Sequence, residues 1–231
     1  MHEIITEMVD LTADGRTTGG YLARPQGDGR YPGVVVIQEW WGLDGHIKSI
    51  AERFARAGFV AIAPDLYYGE VASEPDEARK LAMSVREHWQ GALNVIQAAV
   101  DAVLAQPATS TETVGLTGFC MGGGLTWHGA ARLSGLGAAV PFYGGGPEMS
   151  DEQVAQINIP VLAIFGELDQ GVSPAVAEAR AAQMDNAGVK HETIVYPNAH
   201  HAFFNDTRPI YDATAAADAW ARMTTLFRAI K

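Results

Sequence analysis

Thr113-Val114-Gly115-Leu116-Thr117-Gly118-Phe119-Cys120-Met121-Gly122-Gly123 is the stretch from which the rest of this chain can be read. Its first five residues predict a short buried strand. Met121 to Leu133, rich in Gly and Ala, predict a helix packed tightly behind that strand. At the join, Gly118-Phe119-Cys120-Met121-Gly122 has the form of a nucleophile elbow, G-x-S-x-G, with sulfur in place of the serine oxygen. Such a turn crowds its central residue into a strained conformation. A Cβ at Gly118 or Gly122 would collide with neighbouring backbone, so glycine is required at both. The pattern also arises by chance, so it carries weight only if partner residues follow in the right order.

Working outward, strands and helices alternate. Upstream lie a strand at Gly33-Val34-Val35-Val36-Ile37, a helix over 46–57 stopped by Gly58, and a strand over 59–63 ending at Pro64-Asp65. Before them, segments 4–11 and 18–24 flank a turn at Ala13-Asp14-Gly15-Arg16 and predict a hairpin. A long helical region over 75–105 carries apolar spacing through Leu81, Val85, Trp89, Leu93, Ile96 and Val100. Downstream, strands over 138–143, 161–165 and 193–196 alternate with helices over 174–187 and roughly 211–230. The alternation predicts an α/β fold: a mostly parallel sheet with helices on both faces and an antiparallel hairpin at its N-terminal side. No repeat, linker or low-complexity tract divides residues 1–231, which read as a single domain.

Composition narrows the partners. Hydrophobic residues make up 48% and charged residues 19%, the balance of a globular core. A net charge of -11 argues against nucleic acid and against an anionic membrane, both of which need basic patches. One cysteine excludes an internal disulfide, and Met1-His2-Glu3-Ile4-Ile5 lacks a secretory pattern, so the reading is cytoplasmic.

Four polar residues fall at the carboxyl ends of predicted strands, where open α/β sheets bind ligands. Glu39 follows 33–37, Cys120 follows 113–117, Asp169 follows 161–165, and His200 and His201 follow 193–196. The order nucleophile, acid, histidine is the one this architecture uses. Cys120 at a helix start is favoured as thiolate and nucleophile rather than as a small buried hydrophobe. Asp169 can orient a histidine or cap the following helix, with Glu167 as its rival. Pattern alone does not choose between His200 and His201. His2, His46, His88, His128 and His191 read as surface or packing residues with no partner. Glu39, wedged between a buried strand and Trp40-Trp41-Gly42, needs a reason to be dry: an arginine ion pair, or a role beside the thiol. The backbone N–H groups of Trp40 and Met121 are candidates for an oxyanion hole.

Together these residues resemble the dienelactone hydrolase (carboxymethylenebutenolidase) family of α/β-hydrolases. Gln38-Glu39-Trp40-Trp41-Gly42, Gly118 to Gly123, Gly166 to Pro174, Ala199-His200-His201-Ala202-Phe203 and the tail Asn205-Asp206-Thr207-Arg208-Pro209 carry the likeness across essentially the whole chain. The resemblance implies a triad of Cys120, His201 and Asp169, with Glu39 contacting the resting thiol and the Trp40 and Met121 amides binding the oxyanion. It implies hydrolysis of a small-molecule ester or lactone through an acyl-thioester, without metal or organic cofactor. Trp41, Phe203 and Arg208 are the substrate-binding candidates. Dienelactone-cleaving members hold the substrate carboxylate with arginines, one of them four residues beyond the histidine. Asn205 stands at that position, which argues against dienelactone itself. Arg79 and Arg86 in the long helical region are further arginines without an assigned place. The alternatives on the same fold are a non-catalytic binding protein and a thiol redox sensor.

Overall fold

The computed structural model describes every residue except Pro147. The chain opens with the expected hairpin, β1 (Ile4–Ala13) and β2 (Arg16–Pro25), paired antiparallel around Asp14-Gly15. It continues as β3 (Tyr31–Ile37), α1 (Gly45–Arg56), β4 (Val60–Pro64), α2 (Pro75–Glu87), α3 (Trp89–Leu104) and β5 (Thr109–Phe119). There follow α4 (Met121–Arg132), β6 (Leu136–Phe142), α5 (Asp151–Val154), β7 (Val161–Gly166), α6 (Pro174–Ala187), β8 (His191–Tyr196) and α7 (Ala213–Arg228).

Local chemistry explains the helix ends. Asp44 caps α1 by accepting from the Ile47 N–H at 3.0 Å, and Asp212 caps α7 through the N–H groups of Thr214 and Ala215. Gly188 closes α6 in the left-handed conformation at φ 69°.

The strands form one sheet in the order β1-β2-β4-β3-β5-β6-β7-β8. β2 pairs antiparallel with β4, and β3 to β8 all run parallel. The chain steps outward from β3 to β4, then returns to place β5 on the other side of β3. This reversal opens the crevice between the carboxyl ends of β3 and β5, which are the strands leading to Glu39 and Cys120.

Side-chain alternation builds a core on each face. Val34 and Val36 of β3 join Phe54 of α1 and Phe227 of α7, while Val35 and Ile37 join Ile96 of α3 and Leu116 of β5. Fully burying such a side chain stabilises by roughly 1.5–3 kcal/mol.

The region over 75–105 is two helices rather than one. The chain breaks at His88, with φ -119° and ψ 33°. α3 packs on the sheet and buries seven residues, whereas α2 packs on α3 and buries only Ala78 and Val85. Apolar spacing runs through both because α2 faces a cleft where α3 faces the core. Among the described residues, no helix is long and apolar enough to cross a membrane.

Candidate active site

The elbow is built as its sequence demands. Cys120 sits between β5 and α4 at φ 55° and ψ -113°, a conformation an L-residue adopts only under constraint. A Cβ on Gly118 would run into the Gly122 carbonyl, and one on Gly122 would lie 2.5 Å from the Gln38 carbonyl oxygen. Thus α4 approaches β3 and β5 closely enough to hold the turn. Two further residues beside Cys120, Tyr143 and Ala202, also have positive φ, at 36° and 61°. Strain therefore gathers around one point of the sheet edge.

Three loops converge there. The loop after β7 carries Asp169, whose side chain is fully buried. Asp169 Oδ1 accepts the N–H groups of Gly171 at 2.7 Å and Val172 at 2.8 Å, which orients Oδ2 outward. Oδ2 meets His201 Nδ1 at 2.7 Å. The acid thus reaches the imidazole rather than capping α6, where the residue before the helix is Ser173. Its rival Glu167 turns away and accepts the N–H of Asn198. His200 has no such bond, and of the adjacent pair only His201 borders Cys120.

Burial opposes a charged His201 ring, but bonding to Asp169 and Cys120, reinforced by the charges of both, overcomes it and raises the pKa to about 10. The imidazole is therefore held protonated through neutral pH beside the sulfur. Cys120 itself is half-buried, at the positive end of α4.

Glu39 is 2% exposed. Its Oε2 accepts from Asn205 Nδ2 at 2.7 Å, and its Oε1 lies 3.5 Å from the Tyr143 hydroxyl. Among the described residues Glu39 forms neither an arginine ion pair nor a hydrogen bond to Cys120; its partners are an amide and a phenol. Burial raises the carboxyl to about 7, while the Asn205 bond pulls the other way. Burial also keeps the Tyr143 phenol well above its ordinary range, so it remains a donor.

Two clefts meet at Trp40, Cys120 and His201. One, of about 380 Å³, continues past Met121 and Val172 to Arg79 and Arg86 of α2, the two arginines that the sequence left unplaced. The other, of about 500 Å³, is bordered by Glu39, Trp41, Asn205, Arg208 and Ile210. Arg208 stacks over the Trp41 ring at 4.2 Å, so both line the second cleft. Phe203 lines neither: it is fully buried against Tyr143 and Tyr196, because the chain turns inward immediately after His201.

Sequence reading missed Tyr67. Its hydroxyl donates to the Trp40 carbonyl at 3.0 Å, clamping the loop after β3. Asp65 fixes that tyrosine's loop by accepting the N–H groups of Tyr67 and Gly69. Met121, as the first residue of α4, has an N–H with no acceptor inside the helix. The remaining histidines do have partners: His46 bonds Asp206, His191 bonds Asp185, His88 bonds the Ser84 carbonyl, His128 bonds Arg132, and His2 packs on Tyr31.

A reversed parallel sheet with a strained cysteine elbow and a carboxylate-bound histidine defines an α/β-hydrolase architecture. The sequence model of the dienelactone hydrolase family matches residues 18–231, so the chain belongs to that family of ester- and lactone-cleaving hydrolases. It is 38% identical over 228 residues to "Protein usf" of Aquifex pyrophilus, covering 96% of this chain and 97% of the other. It is 35% identical to an Aquifex aeolicus protein named "putative carboxymethylenebutenolidase", over 96% and 97% of the two chains. Among solved structures it resembles a dienelactone hydrolase-like promiscuous phosphotriesterase from metagenomic libraries. That match has a TM-score of 0.87 and 30% identity over 97% of both chains.

Proposed function

We propose that this protein hydrolyses a small carboxylic ester or lactone through a Cys120 thioester. The observation that carries this reading is the short Asp169–His201 bond ending at a cysteine held in a strained turn. The thiol proton already rests on His201, with Glu39 assisting the thiolate, and the Cys120 thiolate attacks the substrate carbonyl carbon. The resulting oxyanion is received by the Trp40 and Met121 N–H groups, worth about 3 kcal/mol each. Collapse expels the alkoxide, which takes its proton from the His201 imidazolium and leaves a thioester. His201, now neutral, removes a proton from water, and the hydroxide releases the acid and restores the thiolate. Asp169 keeps the ring oriented throughout.

Arg79 and Arg86 border the 380 Å³ cleft, which otherwise is mainly apolar. An ester with an apolar body and an anionic end fits that combination better than a neutral one. A panel of lactones and short aryl esters, with and without a carboxylate, tests the reading against Cys120→Ala and Cys120→Ser. Turnover should fall by on the order of 10⁴-fold in Cys120→Ala. Full activity in that variant would overturn the reading.

A further inference from the structure

The contact between Asn205 and Glu39 has a defined chemical direction. Asn205 is 1% exposed. Its Oδ1 accepts two bonds from one neighbour, the Thr207 N–H at 3.0 Å and the Thr207 hydroxyl at 2.6 Å. Both atoms are donors here, so that end of the amide must be the carbonyl, and the end facing Glu39 must be the NH2 group. Rotation of the amide would set an oxygen against the Glu39 carboxylate and leave the Thr207 N–H facing a donor. The loop itself is tied to α1, since His46 Nδ1 lies 3.3 Å from Asp206 Oδ1.

We propose that Asn205 is a positioning residue whose amide, keyed by Thr207, holds Glu39 in one orientation beside Cys120 and favours its ionised form there. This rests on the reading of Glu39 as the carboxylate that assists the thiol. The charged and titratable groups acting on Glu39 are four, from three segments. They are Tyr143 after β6, Asp44 ahead of α1, and His201 and Arg208 in the loop after β8. Asp44 opposes ionisation, whereas His201 and Arg208 support it from a distance. Asn205 is the nearest donor, at 2.7 Å. A neutral donor supports the carboxylate without forming an ion pair that would neutralise it.

The test is the pH dependence of kcat/KM on an aryl ester. In the wild type the acid limb should fall near neutrality and should vanish in Glu39→Gln. Asn205→Leu keeps the volume and loses the donor, so the limb should move up by about one pH unit. Asn205→Asp is isosteric and sets a second acid against Glu39, so it should move the limb at least as far. Thr207→Val, on an exposed residue that does not touch Glu39, should give a smaller shift of the same sign and keeps the test open if the buried variants fold poorly. A purely structural role predicts a lower Tm and uniformly lower activity with the limb unmoved, which overturns the proposal. If Glu39→Gln keeps the wild-type limb, the role given to Glu39 falls as well. If that limb vanishes in Glu39→Gln yet holds still in all three other variants, only the role of Asn205 is lost.

Discussion

Asp169 shows how much one side chain depends on where its two oxygens are sent. Oδ1 is saturated by Gly171 and Val172, so Oδ2 is aimed at His201. An amide at this position would keep its carbonyl on the Gly171 and Val172 donors and turn its NH2 group to His201 Nδ1, and the imidazole would lose both its orientation and its charge support. Asp169→Asn should therefore retain the fold yet lose on the order of 10⁴ in kcat. Single-turnover measurement of thioester formation would check this, and unaltered acylation would refute it. The same scale explains why the elbow tolerates no change at Gly118, since its missing Cβ is where the Gly122 carbonyl lies.

At the scale of elements, the loop after β3, which carries the proposed oxyanion donor Trp40, is not held by β3 alone. The Gln38 side chain accepts the Leu66 N–H at 3.1 Å, and Tyr67 reaches back to the Trp40 carbonyl, so the loops after β3 and β4 brace each other. Removing the phenol oxygen frees the Trp40 carbonyl and so loosens the residue whose own N–H is the proposed oxyanion donor. Tyr67→Phe should lower kcat by roughly 10²-fold, the scale of losing one oxyanion donor, with little change in KM. A change confined to KM would instead place Tyr67 in substrate binding. The break at His88 belongs here as well: it lets α2 lie over a cleft with Arg79 and Arg86, while α3 seals the sheet.

Across the whole molecule, a buried carboxyl links the site to global stability. Glu39 titrates at about 7 in the folded chain, against an ordinary value of 4.5. Because the folded value is raised, the folded state binds the proton more tightly. That stability is fully present below pH 4.5 and is lost as pH rises through about 7. The total is about 3 kcal/mol. Glu39→Gln cannot titrate, so the wild type should lose about that much relative to the variant between pH 4 and pH 8. Denaturant unfolding of both proteins across that range checks it, and a constant difference would show that burial leaves the Glu39 carboxyl at its ordinary value. The cost is consistent with a carboxylate kept for chemistry rather than for stability.

Hydrophobic runs, turn residues and helix stops are local signals, and they were enough to place every parallel strand and the two glycines of the elbow. Chain order also brought Cys120, Asp169, His201 and Glu39 to one sheet edge, because strands of one parallel sheet end on one side. What surrounds those residues comes from segments far apart in sequence. Asn205 reaches across 166 positions to Glu39, and Tyr67 across 27 to Trp40. Phe203 turns into the core, and the arginines of α2 reach the cleft only because α2 stands off the sheet. Period and propensity describe how a segment folds against its own neighbours. Which donor meets a buried acid is decided by packing, where an unpaired polar group costs too much to leave alone.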